Sequence, residues 1–484
     1  MNIKVISRNV GYALLVSALF MFLSILVSVA NGNDSALAAL MISFTITFTV
    51  GIFPFIFVRK SADITLKDGY MIIALSWLLS FIFGMLPYAL WGGPFTIINA
   101  WFESVSGFTT TGSTILDNVE ALPNSLLFWR SSTHFIGGLG VVVFLLLIIP
   151  SSSQMRLRLT TLELSSLSKR EYRSGANKTV YIFTYVYFGL TAASFLLYVM
   201  AGMSPFDAIN HAMSVVATGG FSTRNASIGA YDSITIDLIT MLFMVLSSVH
   251  FGMIFVAVVT RSLKSFKNEI FKFYLSMMVV AGVIVSISIK AHGFEEAWGR
   301  SFLSGFFHVM SFASTTGFSI ADNSSWPVLS NTILVLMGVC CGMAGSTTGG
   351  IKSDRMMFLC KEVKYQLRMV LHPASVKDIR VNGRVIRQND IAPHILYIAL
   401  YGLVVIISLA ACLTLDPDNN QSFTAILSSL GNVGLSVDQL GSIYNFNGEP
   451  SSLKFIYTLD MFLGRVEIYP ILAVVMMIFS RRNK

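Results

Sequence analysis

Predominantly apolar runs of about 20 residues or more recur along the whole chain, at approximately 10–30, 36–58, 69–91, 124–149, 178–200, 233–260, 271–290, 331–358, 392–414 and 454–480. A helix needs about 20 such residues to cross a hydrocarbon layer of about 30 Å, so the pattern predicts ten membrane-spanning helices. Four of the connections carry a second pattern: a short apolar segment, too short to span, followed by a Thr- or Gly-rich stretch. An apolar helix of about 10–14 residues between two spans reads as a re-entrant half-helix. The order span, half-helix, loop, span therefore occurs four times, after an initial pair of spans.

The polar positions test this reading. An even number of spans puts both termini on one side, and with the N-terminus inside, 27 of the 33 lysines and arginines fall on inner connections. These include Lys4 and Arg8, Arg59, Lys60 and Lys67, the cluster from Arg156 to Lys178, the stretches Arg261–Lys272 and Lys352–Arg387, and the tail Arg481, Arg482 and Lys484. That bias is what the positive-inside rule requires. Lys4 and Arg8 ahead of an apolar run also resemble a cleaved signal sequence, but a second run starts just after Asn31–Ser35, so a retained helical hairpin is expected,.

Composition narrows the class. The chain is 54% hydrophobic and 12% charged, against about 25% charged in soluble domains, which leaves no room for a large soluble domain. The net charge of +8 is spread over short loops and forms no arm or patch, so no nucleic-acid partner is expected,. Cys340, Cys341, Cys360 and Cys412 have no spacing of a disulfide framework or metal site,. Nothing clusters a nucleophile, a base and metal ligands at useful spacing, so the chain does not read as an enzyme.

Aligning the four outer segments on one glycine gives Thr110-Thr111-Gly112-Ser113, Thr218-Gly219-Gly220-Phe221, Thr315-Thr316-Gly317-Phe318 and Asn432-Val433-Gly434-Leu435. Six residues earlier stands a serine in every copy, Ser106, Ser214, Ser311 and Ser428. Two later stand Thr114, Ser222, Ser319 and Ser436, and nine earlier stand Glu103, His211, His308 and Ala425. Four copies in one topological slot form an internal repeat. A desolvated cation needs oxygens in place of its water shell, and rings of backbone carbonyls supply them. Glycine permits the backbone turn that aims those carbonyls at an axis, and each half-helix points its partly negative C-terminal end at the ion. Small residues can also serve close helix packing, but such motifs lie within spans and these follow non-spanning segments. The four serines, with Glu103, His134, His211, His250 and His308, read as hydrogen-bonding residues that hold backbone or neighbouring helices.

With these motifs in view, the chain resembles the potassium-uptake subunits of the Trk, Ktr and HKT superfamily, and within it the TrkH type. That resemblance covers essentially the whole chain. It implies four linked span, pore-helix, span units with one filter glycine each, and residues 10–58 match the extra two-span hairpin of the TrkH type. In the plant relatives a serine in place of the first filter glycine goes with sodium transport, so Gly112 implies potassium selectivity. The resemblance also implies a homodimer and a cytosolic nucleotide-binding regulatory ring of the TrkA kind. The basic inner loops 150–178 and 359–391 are long enough to receive such a partner.

Two further features lie in the spans. Gly342-Met343-Ala344-Gly345-Ser346-Thr347-Thr348-Gly349-Gly350, followed by Lys352, interrupts the eighth. Such a run weakens a helix badly, and irregular backbone at membrane depth is tolerated only inside protein or beside water, so the stretch should border the conduction path. A Walker A loop does not fit, because Ile351 separates Gly350 from Lys352 in a helical context,. A simple kink is the plainer alternative. The resemblance makes it an intramembrane gate below the filter, formed by Gly345, Ser346, Thr347, Thr348, Gly349, Gly350 and Lys352. Arg465 lies near the middle of the last span, beside Asp460 and Glu467. It either pairs with a carboxylate or, as the resemblance favours, puts a positive charge below the filter.

The resulting expectation is an all-α, multi-pass protein of the bacterial inner membrane, lipid-embedded, with both termini cytoplasmic. Its units are 1–62 (hairpin) and four pore repeats at 63–150, 151–262, 263–365 and 366–484. It conducts potassium past Thr110, Thr111, Gly112, Thr218, Gly219, Gly220, Thr315, Thr316, Gly317, Asn432, Val433 and Gly434. The competing class is an ion-coupled carrier, which uses discontinuous helices at two related positions and buried carboxylates. The sequence offers one marked break and few acids within spans.

Overall fold

The structure, a computed structural model, describes residues 2–58, 65–148, 176–295, 297–373, 378–386, 388–417, 419, 421–435 and 445–480. Helices α1 (Ile3–Ala30) and α2 (Leu37–Phe57) form the N-terminal hairpin. The first group then runs α3 (Leu66–Gly84), α4 (Leu86–Trp91), the half-helix α5 (Ile97–Phe108) and α6 (Asn124–Ile148). The second is α7 (Ala176–Met200), the half-helix α8 (Pro205–Ala217), α9 (Ile234–Ser248) and α10 (Phe251–Thr260). The third is α11 (Glu269–Ala291), the half-helix α12 (Trp298–Ala313), α13 (Val328–Val339) and α14 (Ser353–Leu371). The fourth is α15 (Gln388–Leu415), the half-helix α16 (Ser422–Gly431), α17 (Ser451–Val466) and α18 (Ile468–Ser480).

Every apolar run read from the sequence holds helix. Among the described residues, six helices are long and apolar enough to cross a membrane, and the pair α9 and α10 makes a seventh if taken as one span. The chain is a multi-pass membrane protein. Among the described residues the fold departs from all-α in two short ladders, β1 (Cys340–Cys341) parallel to β2 (Ile351–Lys352), and β3 (Arg380–Val381) antiparallel to β4 (Arg384–Val385).

The four groups close on themselves. Each half-helix packs on the later span of the preceding group: α8 on α6, α12 on α9, α16 on α13, and α5 on α17 of the last group. The local sequence starts these half-helices well where it can. Thr96 caps α5 by accepting from Asn99 N at 3.3 Å, and Ser204 caps α8 by accepting from Asp207 N at 3.1 Å, with Pro205 in the first turn,. The hairpin is tied on through its turn, where the Asp34 carboxylate accepts from Ser28 Oγ at 2.6 Å and from Ser125 Oγ at 2.8 Å and Ser125 N at 3.1 Å. Asp34 thereby supplies an anion to the first turn of α6, where backbone N–H groups lack partners.

One expectation is corrected. The sequence suggested one marked break, whereas the later span is interrupted in three of the four groups. α9 and α10 meet at 104° across Val249–His250, α13 and α14 are separated by the Gly-rich stretch, and α17 and α18 meet at Glu467 with φ 66°. Among the described residues α6 alone runs through. Residues Arg59, Lys60, Arg387 and Ser436, the cluster from Arg156 to Arg173, and Arg481, Arg482 and Lys484 lie outside the described residues.

Candidate ion-conduction site

At the C-terminal end of each half-helix the backbone repeats one conformation. Thr110, Thr218, Thr315 and Asn432 have φ of 53°, 55°, 52° and 54°, in the left-handed region. Two residues on, Gly112, Gly220, Gly317 and Gly434 have φ of 85°, 85°, 76° and 80°. Between them, the amide N–H groups of Thr111, Gly219, Thr316 and Val433 donate to the carbonyls of Ser106, Ser214, Ser311 and Ser428, each at 2.9 Å. A left-handed residue costs about 1–2 kcal/mol when it carries a Cβ. Four such costs at equivalent positions mark a conformation the surroundings enforce.

The four turns form a ring. A Cβ added to Gly112 would overlap the carbonyl oxygen of Gly219, and one on Gly220 would overlap that of Thr316. Gly317 bears in the same way on the Val433 carbonyl, and Gly434 on the Thr111 carbonyl. Each glycine thus leaves room for a backbone oxygen of the next group, and the fourth returns to the first. The twelve filter residues read from the sequence are brought together at this ring.

Behind the ring the support is graded. Ser106 Oγ donates to Ser113 O and Ser311 Oγ to Phe318 O, both at 2.6 Å, while Ser214 Oγ meets His134 Nδ1 at 3.1 Å. Ser428 Oγ has no hydrogen-bond partner among the described residues and borders a cavity of about 10 Å³. His211 and His308 each bond a carbonyl four residues back with Nδ1. Through Nε2 they reach the chain beyond the glycine, at Ser222 Oγ (2.9 Å) and Ala321 O (3.0 Å). Glu103 does the equivalent work in the first group, accepting from Thr114 Oγ1 at 3.0 Å and Ile115 N at 3.1 Å.

Glu103 also receives Arg130 Nε at 2.7 Å, in an ion pair with both side chains almost fully buried. Arg130 reaches Ser222 O and Thr114 Oγ1 at 3.3 Å and stacks 4.0 Å from the centre of the Phe221 ring. It therefore joins the chain beyond the first glycine to the chain beyond the second. Sequence reading missed it: Arg130 is 27 positions from Glu103, and its signal was an arginine inside the apolar run 124–149,.

The Gly-rich stretch forms a closed loop beneath the ring. Its ends are joined by the parallel pairing of Cys340–Cys341 with Ile351–Lys352. Gly349 N donates to Thr315 Oγ1 at 3.0 Å, and a Cβ on Gly349 would lie 2.7 Å from Asn432 Oδ1. Thr347 Oγ1 donates to Val216 O (3.0 Å) and Ser247 O (3.2 Å), and Ser346 Oγ donates to Met343 O (2.6 Å). Lys352 Nζ folds back onto Thr348 O and Oγ1. At the α9–α10 bend, Met343 N donates to Ser248 O at 2.9 Å and Phe251 N to Gly345 O at 3.0 Å. The bend is thus where backbone freed from one helix pairs with the loop.

Arg465 donates to Thr347 O of this loop and, at 3.0 Å, to Gly137 O of α6. The two carboxylates next to it in sequence are engaged elsewhere. Glu467 takes Arg355 at 2.9 Å, and Asp460 accepts from Ser408 Oγ at 2.7 Å.

The cation transport protein family named TrkH matches residues 36–275 and 294–482. The chain belongs to the TrkH family. Among its TrkH relatives, the Trk system potassium uptake protein TrkH of Salmonella typhimurium (strain LT2) is 30% identical, over 98% of both chains. The protein of that name from Halomonas elongata is 31% identical over the full length of both. The crystal structure of the potassium transporter TrkH from Vibrio parahaemolyticus superposes with a TM-score of 0.88 at 27% identity, covering 98% of each chain.

Proposed function

We propose that this TrkH-family chain takes up potassium across the bacterial inner membrane through one pore formed by its four groups. The selectivity filter is the ring of Thr110–Gly112, Thr218–Gly220, Thr315–Gly317 and Asn432–Gly434. The observation that carries this reading is the cyclic contact in which each glycine accommodates a carbonyl oxygen of the next group. Oxygens so placed can replace the hydration shell of a monovalent cation without adding a fixed charge. An inside-negative potential drives the ion inward by about 2.3 kcal/mol per 100 mV.

In this reading the loop from Gly345 to Gly350, with Lys352, is the gate, and Arg465 is the positive charge that holds it closed. Support comes from the loop's contacts with Thr315 and Asn432 at the ring and from the arginine's bonds to both loop and α6. The units are the hairpin 1–62 and repeats at 63–150, 151–262, 263–365 and 366–484, with both termini cytoplasmic. The membrane subunit works as a homodimer and is regulated by a cytosolic nucleotide-binding ring of the TrkA kind. The ion-coupled carrier gains from the three interrupted spans, since carriers are built on discontinuous helices. Reconstitution into vesicles under voltage steps separates the two. A pore passes potassium current that reverses at the potassium equilibrium potential, and a shift of that reversal with proton or sodium gradients at fixed potassium would establish the carrier instead.

A further inference from the structure

A cavity of about 220 Å³ opens on the side of α14 that faces the returning chain before β3. Lys361, Lys364, Tyr365 and Arg368 follow one another at helical spacing along one face, and Arg380 lines the opposite wall, with Asp378 the one carboxylate among the described lining residues,. The walls are held in place. Lys361 Nζ donates to both Glu269 Oε2 and Arg380 O at 2.6 Å, Asn382 N donates to Glu269 Oε1 at 3.1 Å, and Val381 is fully buried. Glu269 offsets Lys361, but Lys364, Arg368 and Arg380 take part in no ion pair among the described residues, so three cations converge on the space with one carboxylate against them.

We infer that this cavity binds a phosphate-bearing anion. Guanidinium groups pair with phosphate oxygens in a bidentate manner, and lysine adds a point charge, so two arginines with a lysine and a tyrosine hydroxyl form a fitting donor set. The volume equals roughly seven waters at about 30 Å³ each, enough for a phosphate with a few attached atoms and less than drug-sized ligands require. The phosphate can belong to a lipid headgroup or be free. α14 also exposes Val363, Leu367, Val370 and Leu371 on another face, a stripe beside a basic row such as helices at a membrane surface carry,. Because α14 follows directly from Lys352 at the base of the loop, an anion held here bears on the element that leads out of the candidate gate.

The test uses the purified full-length chain in nanodiscs of phosphatidylcholine, with or without phosphatidylglycerol, and separately in detergent titrated with inorganic phosphate. Bound lipid is counted by native mass spectrometry and phosphate binding by calorimetry. Losing one charged donor costs about tenfold in affinity. Lys364→Gln alone, at an exposed position, should weaken binding about tenfold, and Lys364→Gln/Arg368→Gln/Arg380→Gln should abolish it. The control Lys264→Gln/Lys267→Gln should bind as the wild type does. Selective phosphatidylglycerol binding with this pattern supports a lipid site, and phosphate binding with it supports a free-anion site. No binding of either probe, or equal loss in the control, overturns the inference.

Discussion

Arg465 stands in the last turn of α17, at the break in the last span; an arginine at the centre of a span costs about 2.5–3.5 kcal/mol to insert, and its bonds to Thr347 O and Gly137 O offset such a cost,. The carboxylates beside it in sequence serve Arg355 and Ser408, so the position reads as a clamp on the loop. If the proposed reading holds, Arg465→Ala should raise potassium flux in vesicles, because it removes the bonds to the loop and a positive charge beside the proposed path. At an effective dielectric of about 20, two unit charges 4 Å apart interact by about 4 kcal/mol, and water in the path lowers that. Arg465→Lys keeps the charge but not the two-carbonyl geometry, so its flux should fall between wild type and Arg465→Ala. A thermal melt separates this from a structural ion pair, whose loss costs about 3–5 kcal/mol of stability without raising flux. Gly112 is the other residue at which one side chain decides. Its φ of 85° and the nearby Gly219 carbonyl mean that Gly112→Ser must displace an oxygen of the ring. The reversal potential in mixed potassium and sodium should move toward sodium, and an unmoved reversal potential would remove Gly112 from the filter.

The interrupted spans show what a sequence does and does not reveal about an element. The break at Gly342–Gly350 was legible because nine residues with four glycines cannot sustain a helix,. The break at Val249–His250 was not, its nearest glycine being Gly252, whereas the one at Glu467 had a local signal in Pro470, which has no N–H to offer the Val466 carbonyl,. The first is instead satisfied by backbone pairing with Met343 and Gly345, about 95 residues later, which no local period can announce. The short ladder of Cys340–Cys341 with Ile351–Lys352 was hidden for the same reason. This ladder fixes the loop's ends, so shortening the loop between Gly345 and Thr348 should leave the base intact while withdrawing the tip from Thr315. Basal potassium flux should rise and its dependence on a cytosolic partner should fall. If the shortened protein melts as the wild type does and conducts no more than it, the stretch is only a kink.

In the whole molecule, four groups of one chain must hold a common axis, and repetition alone does not fix it, because the groups are not equal. The half-helix residue nine before the glycine is Glu103, His211, His308 or Ala425, so one group is braced by a charge, two by imidazoles and one by neither. Glu103 needs Arg130, and Arg130 also holds Ser222 O across the boundary to the second group. Removing one member of such a buried pair leaves the other charge without compensation, at about 3–5 kcal/mol. Glu103→Gln and Arg130→Gln should each lower the melting temperature strongly, and the double variant should be less destabilised than the sum of the two. Coupling of this kind is expected for groups in direct contact. The same variants should reduce discrimination between potassium and sodium, since the chain beyond Gly112 and Gly220 loses its shared anchor. A strictly additive cycle, or full selectivity in a folded Arg130→Gln protein, would show that the first two groups are aligned by helix packing of α8 on α6 and owe nothing to the ion pair.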